Sequence, residues 1–215
     1  MNAYHASYRD ALARATTPDE MVDLFDRYTT AHANTAPAAI KRLTIRGLES
    51  RYRSGAEELW QVTLSLSHSG HPTAEEVAAI LLAKLYAHHA ETTTEELKRL
   101  ADSTNWEVRE WVASALGEVT LYHFNHIHPR LQEWIHDPSE NVRRAVVLGT
   151  LYASRTEDIG MANSFSAQAG ARLAPRAPQI LHILSRDTRQ VVQKAWKKAF
   201  KRIQKEIPGW TGERS

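Results

Sequence analysis

The stretch "STNWEVREWVASALGEV", residues 103–119, returns in altered form as "DPSENVRRAVVLGTLYA" (137–153) and "DTRQVVQKAWKKAFKRI" (187–203). Each copy opens with a capping residue and then places apolar or small residues at helical spacing. The shared positions are Val108, Val142 and Val192, then Val112, Val146 and Trp196, then Ala115, Gly149 and Ala199. Each copy also follows a shorter predicted helix, so the repeating unit is a helix pair. Such a repeat predicts an α-solenoid, whereas three unrelated amphipathic helices would share these positions only by chance.

The rest of the chain also predicts helices, because no segment alternates with the period of a strand, and Gly and Pro fall between helical patterns. Start signals support several of them; "TPDE" at 17–20 has a Thr cap, Pro at the first helical position and Glu at the capping-box position. Short connections predict antiparallel neighbours, and the stretch 164–178 predicts a loop. The expected helices cover 3–15, 18–32, 37–53, 56–67, 73–90, 94–101, 105–119, 128–136, 139–155, 176–185 and 188–206.

Composition and charge limit the kinds of site and partner that the protein can have. The chain has no cysteine, which excludes disulfides and thiolate metal sites. The N-terminus lacks the apolar core of a secretory signal and no stretch is apolar enough to span a membrane, so we expect a cytoplasmic protein. Residues 141–215 carry 14 Lys and Arg against 5 Asp and Glu, while residues 1–140 are acidic. A basic segment on an acidic body favours a polyanionic partner, although solvated basic helix faces are also common.

The first repeat copy contains two residues that a helical core does not need. Val108 lies on the expected buried face, and Trp106 and Glu110 share a face turned about half the helix circumference away from it. Glu107 has a structural explanation, since three residues after Thr104 it can close a capping box. Trp111 flanks the apolar face and is expected in the core.

The equivalent positions in the later copies are basic. Arg144 and Lys194 occupy the column of Glu110, with Arg143 alongside, and stacking of the repeats would place this column on one concave surface. "QKAWKKAFKR" at 193–202 interleaves basic residues, among them Lys197 and Lys198, with Trp196 and Phe200. This pattern suits the phosphate backbone of a nucleic acid, and an amphipathic helix with a solvated lysine face is the alternative.

At these residues the chain resembles the bacterial alkylpurine DNA glycosylases built of HEAT-like repeats (AlkC/AlkD type), over roughly residues 55–207. "NWEVRE" looks like the family segment in which a tryptophan is followed four residues on by a catalytic acid, which implies these roles for Trp106 and Glu110. "NVRR" is similar to the repeat whose arginine pair grips DNA, which implies DNA contacts for Arg143 and Arg144. "VVQKAW" resembles the last repeat, whose second tryptophan position holds Lys198 here, with Trp196 nearby.

The chain departs from both branches of that family. Where one branch has an aspartate inside a doubled tryptophan, this chain has Glu110, with Asn105 in place of one indole. Where the other branch has a catalytic glutamate before the glycine that follows the arginine pair, this chain has Leu148.

We expect an all-α, HEAT-like solenoid of antiparallel helix pairs, forming a single domain over 1–215 with N-terminal helices in 1–54, repeats in 55–207 and a tail in 208–215. The resemblance implies a DNA glycosylase that excises alkylated, cationic purines from duplex DNA with no metal or other cofactor, and we expect it to be a monomer. DNA contacts are expected from Arg143, Arg144, Lys194, Trp196, Lys197 and Lys198. A non-catalytic DNA-binding relative and a HEAT-repeat scaffold for a protein partner are the alternatives.

Three histidines form a rival pattern. "HFNHIHP" places His123, His126 and His128 close enough to bind zinc or nickel. The segment is predicted in the turn between two helices, and no carboxylate follows it at ligand spacing. We therefore expect bystander histidines here and no metal site.

Overall fold

The computed structural model describes residues 3–153 and 177–206, and this part of the chain is helical without any β-strand. The all-α prediction is therefore confirmed. Thr30 and Thr35 form an isolated antiparallel bridge. The predicted tail at 208–215, and the predicted loop at 164–178 up to residue 176, lie outside the described residues.

The helix bounds agree with the sequence prediction to within two residues, except at the ends of the second, fifth and seventh helices and at the starts of the sixth and eighth. They are α1 Ala3–Arg14, α2 Pro18–Asp26, α3 Ala38–Arg51, α4 Ala56–Ser67, α5 Pro72–Leu85, α6 Ala90–Ala101, α7 Trp106–Tyr122, α8 Phe124–Trp134, α9 Glu140–Ala153, α10 Ala177–Leu184 and α11 Gln190–Glu206. The capping box of Thr17 and Glu20 is present at the start of α2. The prediction that this helix reaches residue 32 is wrong, because α2 ends at Asp26 and the backbone N–H of Thr30 donates to the carbonyl of Thr35 in the bridge, before left-handed residues at Ala33 (φ 54°) and Asn34 (φ 55°).

The helices form two compact units, the first ending at Trp111 and the second beginning at Val112. In the first unit α5 lies at the centre and packs against α2, α3, α4 and α6. Its residues are buried on every side, which is why the segment "EEVAAILLAKL" is apolar almost throughout.

In the second unit α9 is central and packs against α8, α10 and α11. Close approach to the second half of α7 depends on two glycines. A Cβ on Gly149 would lie 2.9 Å from Cγ of Leu116, and one on Gly117 would lie 2.7 Å from Cβ of Tyr152. Gly149, the small residue of the second copy, therefore lets the two helices approach closely.

The three repeat copies share the geometry of their helix starts. The first residue of each copy accepts a side-chain hydrogen bond from the backbone N–H two residues on, at 2.8–3.2 Å. The seventh residue then returns its side chain to the carbonyl of the first, at 2.5–2.6 Å. These pairs are Ser103 and Arg109, Asp137 and Arg143, and Asp187 and Gln193. Each copy therefore begins its helix in the same way, and the stacking of the copies as a solenoid stays a prediction.

Candidate active site

A cleft of about 310 Å³ opens in the first unit, between the segment 30–38 that precedes and begins α3 and the first turns of α7. Two indoles, two carboxylates, an imidazole and an ammonium group face it, together with small residues of the segment. The lining residues are Thr30, His32, Thr35, Ala36, Pro37, Ala38, Lys41, Trp106, Glu107, Glu110 and Trp111.

Asn105 joins the two walls of this cleft. Its side-chain oxygen accepts a hydrogen bond from the backbone N–H of Glu107 at 2.9 Å, which caps α7. Its side-chain amide donates to the backbone carbonyl of Ala33 at 2.7 Å, in the left-handed turn. Asn105 thus holds the segment that precedes α3 against the start of α7.

The structure brings Trp106 and Glu110 together on the cleft, as their shared helix face predicts. Trp106 is 47% exposed and meets the ring of His32 edge to face, with centroids 5.5 Å apart. Glu110 is half-buried one turn further along α7, whereas Val108 on the opposite face is fully buried. Both predicted catalytic residues therefore face a space that a ligand could enter, and their catalytic role stays a prediction.

Glu107 does not close a capping box, because Asn105 takes the capping position. Its side chain turns into the cleft instead. Oε2 accepts hydrogen bonds from the Thr35 hydroxyl and from Nζ of Lys41, both at 2.7 Å. Oε1 lies 3.4 Å from Nε2 of His32. A second carboxylate, tied to α3 and its preceding segment, therefore lines the same cleft as Glu110.

Below Glu107 a buried lysine meets a buried glutamate. Nζ of Lys41 is 2.6 Å from Oε2 of Glu76, and the two side chains are 2% and 0% exposed. Lys41 also lies under the ring of Trp111, 5.2 Å from its centroid. Trp111, which the sequence places in the core, is only half-buried and lines the cleft above this lysine.

Burial and charge push the two carboxyl groups beside Lys41 in opposite directions. Burial raises the pKa of Glu76 to about 8, although Lys41 works against it. Burial also acts to raise the pKa of Glu107, but the hydrogen bonds from Lys41 and Thr35 outweigh it and hold that pKa below its usual range. Burial therefore opposes the charged form of Glu76, whereas the donors around Glu107 favour its charged form.

Sequence reasoning missed Thr35, Lys41 and Glu76 as parts of this site. A signal was present for two of them, because Lys41 and Glu76 are single charged residues within otherwise apolar faces of α3 and α5. Thr35 gives no such signal, since a threonine in a turn has ordinary local explanations.

The predicted DNA-binding residues lie in the second unit and differ in their surroundings. Nε of Arg143 is 2.5 Å from Asp187, and its Nη1 donates to the carbonyls of Asp137 and Pro138, so this arginine has a structural role. Trp196 is half-buried, donates Nε1–H to the carbonyl of Leu181 and stacks on the ring of Phe200. Arg144 is half-buried, and three lysines are exposed: Lys194, Lys197 and Lys198.

The histidines lie differently from the prediction, which placed all three in a turn. His123 precedes α8, while His126 and His128 lie within that helix. The ring of His128 packs 5.0 Å from that of Phe124, and its Nε2 is 3.3 Å from the Gln132 amide. Among the described residues no group of three His, Asp or Glu side chains is arranged to hold a metal ion.

The family model described as DNA alkylation repair enzyme matches residues 25–213, which is most of the chain. No curated protein matches it. None of the described helices is long and apolar enough to cross a membrane.

Proposed function

Because the chain belongs to the DNA alkylation repair enzyme family, with a role in repairing alkylated DNA, we propose that it is a DNA glycosylase that removes cationic alkylated purines from duplex DNA. The observation that carries this proposal is the cleft on α7. It combines exposed indole surface with two carboxylates, and it opens beside the tryptophan and acid that match the family segment.

The cleft suits the chemistry of this reaction. A purine alkylated at a ring nitrogen is positively charged, so its bond to the sugar is already weak. As that bond breaks, positive charge develops on the sugar, as in other glycoside cleavages. The carboxylate of Glu110 stabilises this charge and orients the attacking water. The indole of Trp106 adds cation–π attraction for the charged base or sugar. The proposal requires no metal or other cofactor.

In this proposal the second unit supplies affinity for the phosphate backbone. The exposed lysines Lys194, Lys197 and Lys198 lie on α11, and Arg144 lies on α9. Cations of this kind neutralise phosphates whatever the base sequence. Arg143 and Trp196 are already engaged within the unit, so the proposal does not depend on them. The helix pairs over 55–207 stack as a HEAT-like solenoid, and the protein acts as a monomer on duplex DNA.

The direct test is release of base from DNA treated with a methylating agent, followed by chromatography of the free bases. The wild type should release methylated purines, and Glu110→Gln should slow release by about 10²–10³-fold, the usual cost of losing one electrostatic group at a transition state. Affinity for undamaged duplex should hardly change, because the substituted side chain does not contact phosphate in the proposal.

A matched control is Glu95→Gln, which removes one exposed carboxylate from α6 of the same unit and does not touch the cleft. It should leave base release unchanged. Full activity of Glu110→Gln would remove this residue from the mechanism. Absence of released base from any methylated duplex with the folded wild type would leave a DNA-binding relative without glycosylase activity.

A further inference from the structure

The floor of the cleft holds more charge than the roles of Trp106 and Glu110 require. Lys41 and Glu76 are almost completely buried and 2.6 Å apart. Two buried ionisable groups of this kind rarely add net stability, because the cost of removing them from water offsets their attraction. Stability alone therefore explains this arrangement poorly.

What the buried pair does contact is the carboxylate of Glu107. Nζ of Lys41 bridges Glu76 and Oε2 of Glu107, and the Thr35 hydroxyl donates to the same oxygen. Two donors from α3 and its preceding segment thus fix one oxygen and with it the plane of the carboxylate. The other oxygen, Oε1, faces His32 and the cleft, and the Glu107 side chain is 17% exposed.

Glu107 and Glu110 lie three residues apart on α7 and therefore project from neighbouring positions of one helix face. Both line the cleft. One of them, Glu107, is held by groups outside its own helix, which is the arrangement that makes an electrostatic group effective without reorganisation.

We propose that Glu107 is a second catalytic carboxylate of this cleft and that Lys41, held by Glu76, is the residue that positions it. The proposal rests on the function proposed above, in which the cleft receives a sugar that becomes positively charged. Glu107 faces the developing charge with Oε1 while Oε2 is anchored. Because Lys41 offsets part of its charge, Glu107 contributes less than Glu110.

The test measures recognition of charge separately from turnover. Two duplexes of one sequence each carry one abasic-site analogue, either a pyrrolidine, which is protonated at neutral pH and mimics the cationic sugar, or a neutral tetrahydrofuran. Fluorescence anisotropy at fixed salt gives the ratio of the two affinities. The wild type should prefer the pyrrolidine duplex, and Glu107→Gln should lower this preference by about tenfold. Glu95→Gln on α6 should leave it unchanged.

A purely structural role for the network gives a different result. Glu107→Gln would then change thermal stability and both affinities alike, with the ratio unaltered, and that outcome would overturn the proposal. The glutamine still accepts hydrogen bonds from Lys41 and Thr35, so the variant should fold. A second variant, Thr35→Val, removes one anchoring donor at constant volume and keeps every charge; it should lower the ratio less than Glu107→Gln does.

The outcomes also separate this inference from the function it rests on. Loss of the preference in Glu110→Gln together with an unchanged ratio in Glu107→Gln would leave the glycosylase proposal standing and refute the second carboxylate. A preference that depends on Glu107 in a protein that releases no base would support the cation site and refute the activity. No preference in the wild type would refute the second carboxylate, and base release would still decide the glycosylase proposal.

Discussion

The lysines of α11 allow the DNA interaction to be predicted in magnitude. Five of them project from one exposed stripe of the helix, at spacings of three and four residues: Lys194, Lys197, Lys198, Lys201 and Lys205. The opposite face of α11 is buried against the rest of the second unit. Its buried residues are Val192, Ala195, Ala199 and Ile203. The stripe covers eleven residue steps at about 1.5 Å each, or about 16 Å.

One strand of a duplex places a phosphate every 3.4 Å or so along the axis, so a stripe of this length faces about five phosphates. Each neutralised phosphate contributes about 0.9 to the slope of log affinity against log salt. Replacing Lys197 and Lys198 with glutamine should therefore reduce the slope by about 1.8. Between about 50 mM and about 200 mM salt, the wild type should lose about 12-fold more affinity than the variant.

Anisotropy titrations of an undamaged labelled duplex across this salt range give both slopes. Glutamine and lysine have similar helix propensities, so α11 should remain intact. A matched control replaces Arg14 and Arg53, two exposed arginines of the first unit, with glutamine and makes the same change in net charge. If the control lowers the slope as much as the lysine variant, the effect is one of total charge. If the lysine variant keeps the wild-type slope, the stripe does not contact DNA.

Two further predictions concern stability. Burial raises the pKa of Glu76 from 4.5 to about 8, so between these pH values the folded protein holds a proton that the unfolded chain releases. The stability that this proton contributes to the folded state is complete below pH 4.5 and is lost as pH rises through 8. Denaturant unfolding of wild type and Glu76→Gln should therefore diverge by up to about 1.4 kcal/mol per pH unit in this window, and parallel curves would contradict the raised pKa. Gly117→Ala should destabilise the protein by about 1–3 kcal/mol despite a gain in helix propensity of about 1 kcal/mol, because the new Cβ would lie 2.7 Å from Cβ of Tyr152. Unchanged or higher stability in thermal unfolding would show that α7 and α9 can separate at no cost.

The fold was accessible from the sequence because most of its information is local. Apolar residues recur at helical spacing, and capping residues and prolines mark several helix starts, as at Thr17. The errors fall where the deciding contact is distant. The second helix ends at Asp26, and after it Thr30 pairs with Thr35 around a left-handed turn whose Ala33 carbonyl accepts a hydrogen bond from Asn105, about seventy residues away. No local pattern in 27–32 announces that contact.

The candidate site was accessible only in part, for the same reason. Trp106 and Glu110 are recognisable because a single helix pattern leaves them without a place in the core. Lys41 reaches Glu107 across 66 residues of sequence, and Glu76 joins them from a third helix. Each is visible in the sequence as a charge in an apolar face, but a lone buried charge predicts a partner without naming it.

Glu107 shows how a sufficient local explanation can hide a tertiary one. Three residues after Thr104 it fits the spacing of a capping box, and the pattern is then satisfied without any distant contact. In the structure Asn105 caps the helix, so the glutamate is released from that role and its carboxylate turns to Lys41. The same residue therefore forms the cap and one wall of the cleft, because Asn105 caps α7 in place of Glu107 and also donates to the carbonyl of Ala33. Removal of the Asn105 side chain would disturb both walls of the cleft at once. These two contacts explain an asparagine at this position better than helix capping alone does.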